Sequence, residues 1–237
     1  MEKIYTIPVN EAFDETRGCP FCRMKKKLDE HEIELILGAS MMEPDVRIQT
    51  NEKGFCADHY NAMFRAQKRL PLALMLESHL DVIAKECRTP RVSLKEKSGA
   101  VAERFDAYSS RCYVCDRVEF HWGKMFETAC LLWDTDGEFR RKFADAEEFC
   151  MPCYTRLLRT AKLTLSKKRL GDFLEAAQKV ETARIDSLRS DISRFCKKFD
   201  YRYADEPWGT AKDAVERALR FLRGAGTLPE EEKNQSR

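Results

Sequence analysis

Apolar positions recur at helical spacing along almost the whole chain. Leu72, Leu76, Leu80, Ile83 and Cys87 follow at intervals of four, four, three and four, which places them on one helix face. Val118, Trp122, Met125, Phe126 and Ala129 form a second stripe. The longest pattern runs through Leu170, Leu174, Ala177, Ile185, Leu188, Ile192, Phe195 and Phe199; Glu181 interrupts it and Val180 beside it can fill the gap. It predicts a helix from about Ser166 to Tyr201, roughly 50 Å long at 1.5 Å per residue, ended by Glu206-Pro207-Trp208-Gly209. Thr210 with Asp213 resembles a capping box opening a short terminal helix, with Ala214, Val215, Ala218 and Leu222 inward. Beyond it, residues 224–237 turn polar and are expected to be a disordered tail. Strand-like alternation is confined to Ile4–Val9, so the expected fold is all-α.

The cysteines reveal an internal repeat. Cys19 and Cys22 match Cys112 and Cys115 at an offset of 93. Phe55, Cys56, His59, Tyr60 and Arg65 match Phe149, Cys150, Cys153, Tyr154 and Arg159 at an offset of 94. Agreement outside the cysteines argues for duplication. Each copy reads as a helix after its first C-x2-C, a connector, and a helix opened by the second pair. The expected organisation is a first helical unit over 15–88, a second over 108–165, and C-terminal helices over 166–223. The linker Arg88–Ser110 contains Pro90 and Gly99, with a short helix around Val101–Tyr108.

The compartment decides how the thiols are read. Ile4–Val9 is too short for a signal-peptide core, and no apolar run approaches the roughly 18–20 residues of a membrane span. The expectation is a cytoplasmic protein with no membrane partner. There, clustered cysteines read as metal ligands or redox centres rather than structural disulfides.

Eight residues form four i, i+3 pairs: Cys19/Cys22, Cys56/His59, Cys112/Cys115 and Cys150/Cys153. At a helix N-terminus this spacing points both side chains the same way, and two pairs supply a tetrahedral shell. Sequential pairing within each copy would give three thiolates and an imidazole in the first, and four thiolates in the second. The 33- and 34-residue intervals between pairs then hold a helix that goes out and returns. Zinc suits such ligands, two ions per chain, because it accepts thiolate and imidazole without a geometric preference of its own. An iron–sulfur cluster is the alternative, although His59 and the absence of ferredoxin spacing weigh against it.

Other chemistries are less well supported. Cys19-Pro20-Phe21-Cys22 looks like a glutaredoxin motif, but the βαβ layout that would carry thiol redox catalysis is missing. Cys87, Cys130 and Cys196 read as small apolar fillers. His31, His79 and His121 fit neither a di-iron bundle nor a zincin helix, and His79 and His121 read as core or boundary residues. No phosphate-binding glycine loop or Gly-x-Ser-x-Gly elbow occurs. A net charge of +2 gives no global argument for nucleic acid. Locally, residues 154–202 carry thirteen Lys/Arg against six Asp/Glu, and Lys25-Lys26-Lys27 adds a cluster, so basic helices beside zinc sites could grip phosphates.

The order Gly18-Cys19-Pro20-Phe21-Cys22, Leu35–Pro44, then Gly54-Phe55-Cys56 with His59 resembles a domain-of-unknown-function family of cytoplasmic proteins from anaerobic bacteria. The resemblance extends from Ile4 to about Val180. It implies a bacterial source and metal binding at the eight positions, and no activity. The combined expectation is a non-enzymatic zinc-clamped scaffold or adaptor for protein interaction. A protein partner or homodimer would use the C-terminal helix, and nucleic-acid binding or thiol redox and iron–sulfur chemistry are the alternatives.

Overall fold

The computed structural model describes residues 3–88, 98–203 and 205–225. Among them there is no strand, and the fold is all-helical. The helices are α1 (Thr6–Asp14), α2 (Pro20–Ile36), α3 (Pro44–Lys53), α4 (Ala57–Arg65), α5 (Arg69–Arg88), α6 (Ser98–Ser110), α7 (Tyr113–Thr135), α8 (Gly137–Ala144), α9 (Met151–Thr164), α10 (Lys167–Lys197) and α11 (Ala214–Arg223). The alternation at Ile4–Val9 is helical: a 3-10 turn at Lys3–Tyr5 leads into α1, where Val9, Ala12 and Phe13 are buried at spacings of three and one.

Packing divides the chain into two compact units, residues 25–122 and residues 1–24 with 123–237. This grouping follows contacts in space, whereas the division at 15–88, 108–165 and 166–223 followed the repeat. The core of the 25–122 unit contains Ile36, Leu37, Met41, Phe55, Met63, Leu72, Met75, Tyr113, Val114 and Val118. The other unit is built on aromatics. Phe13 packs against Phe21, Phe139, Phe143 and Phe149 at centroid distances of 4.8–6.3 Å, and Phe21 stacks on Phe126 at 3.9 Å. Trp133, Phe143 and Phe173 extend the cluster.

The sequence stripes meet different fates. Val118, Met125, Phe126 and Ala129 are buried as expected. On α10, however, the buried face is Phe173, Ala177, Val180, Glu181, Arg184, Leu188 and Asp191. Leu174 and Ile185 are exposed, as is Phe199 beyond the helix. The seam is rotated because charged residues on the inward face find partners. Arg184 pairs with Glu148 and Glu147 at 2.6 and 2.8 Å, and Asp191 with Arg217 at 2.9 Å. On α5 the buried stripe is Leu72, Met75 and His79, while Leu80 and Cys87 face outward. Cys196 is also exposed; of the three expected fillers only Cys130 is buried.

Helix ends also depart from the sequence pattern in one place. The expected capping box does not form: Thr210 donates its hydroxyl to Asp191 at 2.7 Å, and Asp213 makes no side-chain cap at α11. Elsewhere local chemistry is followed. Asp136 caps α8 by accepting from the amides of Glu138 and Phe139, and Ser166 caps α10 through Arg169. The linker helix around Val101–Tyr108 is present as the longer α6. The linker residues 89–97 and the tail from 226 lie outside the described residues.

Candidate metal centres

Each of the four pairs begins immediately before or at the start of a helix. Cys19 precedes α2, Cys112 precedes α7, and Cys56 and Cys150 occupy the N-cap positions of α4 and α9. Four free N–H groups and the helix dipole favour thiolate over thiol at such positions.

The pairs meet as two tetrads, each with its ligand atoms within 4.8 Å of one another: Cys19, Cys22, Cys150 and Cys153 in one, and Cys56, His59, Cys112 and Cys115 in the other. This corrects the sequential pairing expected from the repeat. The first pair of each copy joins the second pair of the other. Helix lengths give the reason. α2 has 17 residues from Pro20 and carries the chain roughly 21 Å beyond Cys22, but α3, with 10, covers only roughly 15 Å. In the second copy α7 has 23 residues and α8 has 8. Neither copy has a return helix long enough to bring its second pair back to its first. All four partners of each tetrad fall within one compact unit.

In the four-cysteine tetrad, Cys22 Sγ lies 3.4 Å from Cys150 Sγ and 3.8 Å from Cys153 Sγ. A zinc ion with Zn–S bonds of about 2.3 Å in a tetrahedron has sulfur–sulfur edges of about 3.8 Å. The sulfurs are therefore at coordinating separations. Cys19, Cys150 and Cys153 are buried and Cys22 is half-buried. The electrostatics are those of a site built for a cation. Burial drives the Cys19 thiol up. Hydrogen bonds from Cys150 and Cys153, with the amide of Ala225, hold Cys22 far below the ordinary thiol range. Hydrogen bonding to Cys150, Cys19 and Cys22 drives Cys153 strongly up. Four thiolates cannot share so dry a space unaided; a divalent ion removes that repulsion.

The end of α11 closes this tetrad. Gly224 takes a positive φ of 94°, turning the chain so that a β-carbon there would lie 3.8 Å from Cys150 Sγ and 3.9 Å from Cys22 Sγ. The polar segment expected to be a tail from its first residue thus starts as part of the site.

The second tetrad mixes nitrogen and sulfur. His59 Nδ1 lies 3.1 Å from Cys56 Sγ, 3.3 Å from Cys112 Sγ and 3.4 Å from Cys115 Sγ, near the nitrogen–sulfur edge of about 3.6 Å for tetrahedral zinc. Cys56 and Cys115 sulfurs are 3.7 Å apart. Burial disfavours the imidazolium, but Asp29 and Cys112 outweigh it and raise His59 to about 10. Burial likewise opposes the Cys112 thiolate, and the His59 ring with the amides of Cys115 and Cys56 lowers it to about 6. Without metal this is a thiolate–imidazolium pair whose proton an incoming ion displaces.

Backbone geometry joins the two halves of this tetrad. Gly54, at φ 60°, accepts a hydrogen bond from the Tyr113 amide at 3.0 Å, tying the residue after Cys112 to the turn before Cys56. His79 supports that turn. Its Nδ1 bonds the Asn51 carbonyl at 2.8 Å, and its Nε2 would lie 2.9 Å from a β-carbon on Gly54. His79 is therefore a satisfied core residue, as its place beside a stripe suggested. His121 is half-buried on α7 and His31 exposed on α2; neither is a member of a tetrad.

Sequence reading missed the residues around the ligands. Asp29 reaches His59 Nε2 at 3.3 Å, the carboxylate–histidine arrangement that orients metal-bound imidazole. Asp29 lies thirty residues from His59, and no local spacing signals the link. Glu147 accepts from the Gly18 amide at 2.5 Å, joining the turn before Cys19 to the segment before Cys150.

All ten cysteines are unbridged. Among the described residues no helix is long and apolar enough to cross a membrane. No curated protein and no solved structure matches the chain. A family model matches residues 1–229, both tetrads included, and on it the chain belongs to DUF6062, a family of unknown function.

Proposed function

We propose that this chain binds two structural zinc ions and acts as a non-enzymatic scaffold or adaptor in the cytoplasm. The observation that carries the reading is the convergence of all eight ligand candidates on two four-ligand clusters. Zinc bound there would supply four protein bonds per site and the folding free energy that accompanies them. Four protein ligands leave no open coordination position for substrate or water, which supports a structural rather than catalytic role. Ten unbridged thiols fit a reducing compartment.

Partner contact is assigned to the C-terminal helices. Phe195 packs on Trp208 at 5.7 Å and belongs to the internal packing of this end. Phe199 and Tyr201 are 78% and 88% exposed, and α11 turns Val215, Leu219 and Leu222 outward. Exposed aromatics of this kind serve as interface anchors. The phosphate-gripping reading gains little, because Arg169, Lys179 and Arg184 already pair with Asp134, Glu175 and Glu148.

Metal analysis and absorption of protein purified without oxygen test the zinc reading. Two zinc ions per chain and no colour are expected; iron with visible absorption, or no metal at all, would overturn it. Light scattering of a Phe199→Asp, Tyr201→Asp variant tests the surface. A stable assembly lost in the variant while its melt is retained supports an interface, and a wild-type chain that is monomeric and captures no partner removes it.

A further inference from the structure

The two tetrads differ in how exposed their ligand residues are. In the four-cysteine site Cys19, Cys150 and Cys153 are 7%, 1% and 1% exposed; Cys22 is half-buried, and Gly224 lies beside Cys22 and Cys150. In the other site Cys112 and His59 are buried, Cys56 is half-buried, and Cys115 is exposed. The two cysteines of this site that are not buried, Cys56 and Cys115, also have their sulfurs adjacent at 3.7 Å. They belong to different helices, so each can move without unwinding the other's ligand pair.

We propose that Cys56 and Cys115 form an oxidation-sensitive pair, through which a peroxide releases the metal of this tetrad while the four-cysteine site stays loaded. This rests on the reading of the tetrads as zinc sites. The chemistry balances. The Cys115 thiolate attacks one oxygen of hydrogen peroxide, the O–O bond breaks, and hydroxide leaves with Cys115 as a sulfenic acid. The Cys56 thiolate then attacks that sulfur, forming the S–S bond and expelling a second hydroxide. Two electrons pass from the sulfurs to the peroxide, and two protons convert the hydroxides to water. Closing the bond brings sulfurs 3.7 Å apart to about 2.05 Å.

The consequence for the metal follows from ligand count. A disulfide removes two of three thiolates, leaving Cys112 and His59. Two ligands do not complete a tetrahedral shell, so zinc leaves. With zinc bound every ligand cysteine is held as a thiolate, so access decides reactivity toward peroxide; three cysteines of the four-cysteine site are buried and none is exposed, whereas Cys115 is exposed. A disulfide of this kind is reversible by thiol reductants.

The test uses the full chain carrying Cys87→Ser and Cys196→Ser, which removes the two exposed thiols outside the tetrads. Zinc per chain is measured before oxidation; two ions establish the underlying reading, and their absence would overturn that reading. Hydrogen peroxide is then added, released zinc is followed with a chromogenic chelator, and disulfides are mapped by peptide mass spectrometry. The expected result is release of half the zinc, a Cys56–Cys115 linkage, and recovery of binding after dithiothreitol and zinc. Equal release from both tetrads, no release where a free thiol is oxidised, or a linkage in another pair would overturn the proposal.

Discussion

Asp29 Oδ1 lies 3.3 Å from His59 Nε2, on the side of the ring away from the three sulfurs. This contact fixes the imidazole orientation and leaves Nδ1 as the metal-facing nitrogen. Asp29→Ala is expected to weaken zinc at this tetrad by about 10- to 100-fold without affecting the four-cysteine site. Competition with a chelator of known affinity reads both constants, and unchanged affinity would remove Asp29 from the site.

Pairing across the repeat predicts a pattern of metal loss. Cys19→Ser and Cys150→Ser should each lose about one zinc per chain, and the double variant no more than either, because all three changes damage one four-ligand site. Cys19→Ser with Cys56→Ser should lose about two. Sequential pairing reverses these results: the Cys19, Cys150 double variant would lose both ions and the Cys19, Cys56 variant one.

Glu181 sits on the inward face of α10, 4% exposed, with both carboxylate oxygens buried and only the Phe149 backbone nearby to offset the charge. Burial raises its pKa from 4.5 to about 7; the Phe149 backbone offsets part of this and Glu148 adds to it. The raised value means the folded chain prefers the neutral acid. That preference acts fully below about pH 4.5 and is lost as pH rises through about 7. Glu181→Gln should therefore stabilise the chain above neutrality by up to about 3 kcal/mol, with the gain vanishing below pH 4.5. Denaturant melts at several pH values check this, and a gain independent of pH would contradict it.

Gly54→Ala tests the turn that joins the halves of the mixed tetrad. A side chain there meets a positive φ and the His79 ring at 2.9 Å, and that ring is held by the Asn51 carbonyl. The expected loss is about 2 kcal/mol of stability, with faster zinc exchange at this tetrad alone. Thermal melts and zinc dissociation rates measure the two effects, and an unchanged melt would show that the turn relaxes freely.

The helical class was legible in the sequence because a 3.6-residue period needs only local information. The ligand pairs were legible for the same reason: i, i+3 spacing at a helix start places two donors together whatever the rest of the chain does. The inward face of α10 was less so. Glu181 read as a break in the seam, yet it is buried, as are Arg184 and Asp191, which meet Glu148 and Arg217. A charged side chain goes inward when a partner meets it there, and those partners lie 36 and 26 residues away.

What the sequence determined by itself was thus the all-helical fold, the repeated spacing of the ligand pairs, and the eight residues able to ligate metal. What only the tertiary structure decided was which pairs share a site, which ligand residues are exposed, and that Asp29 and Gly224 belong to the sites. Spacing constrains atoms a few residues apart. The meeting of Cys22 with Cys150, 128 positions on, depends on helix lengths and on packing between distant segments, which no local pattern encodes.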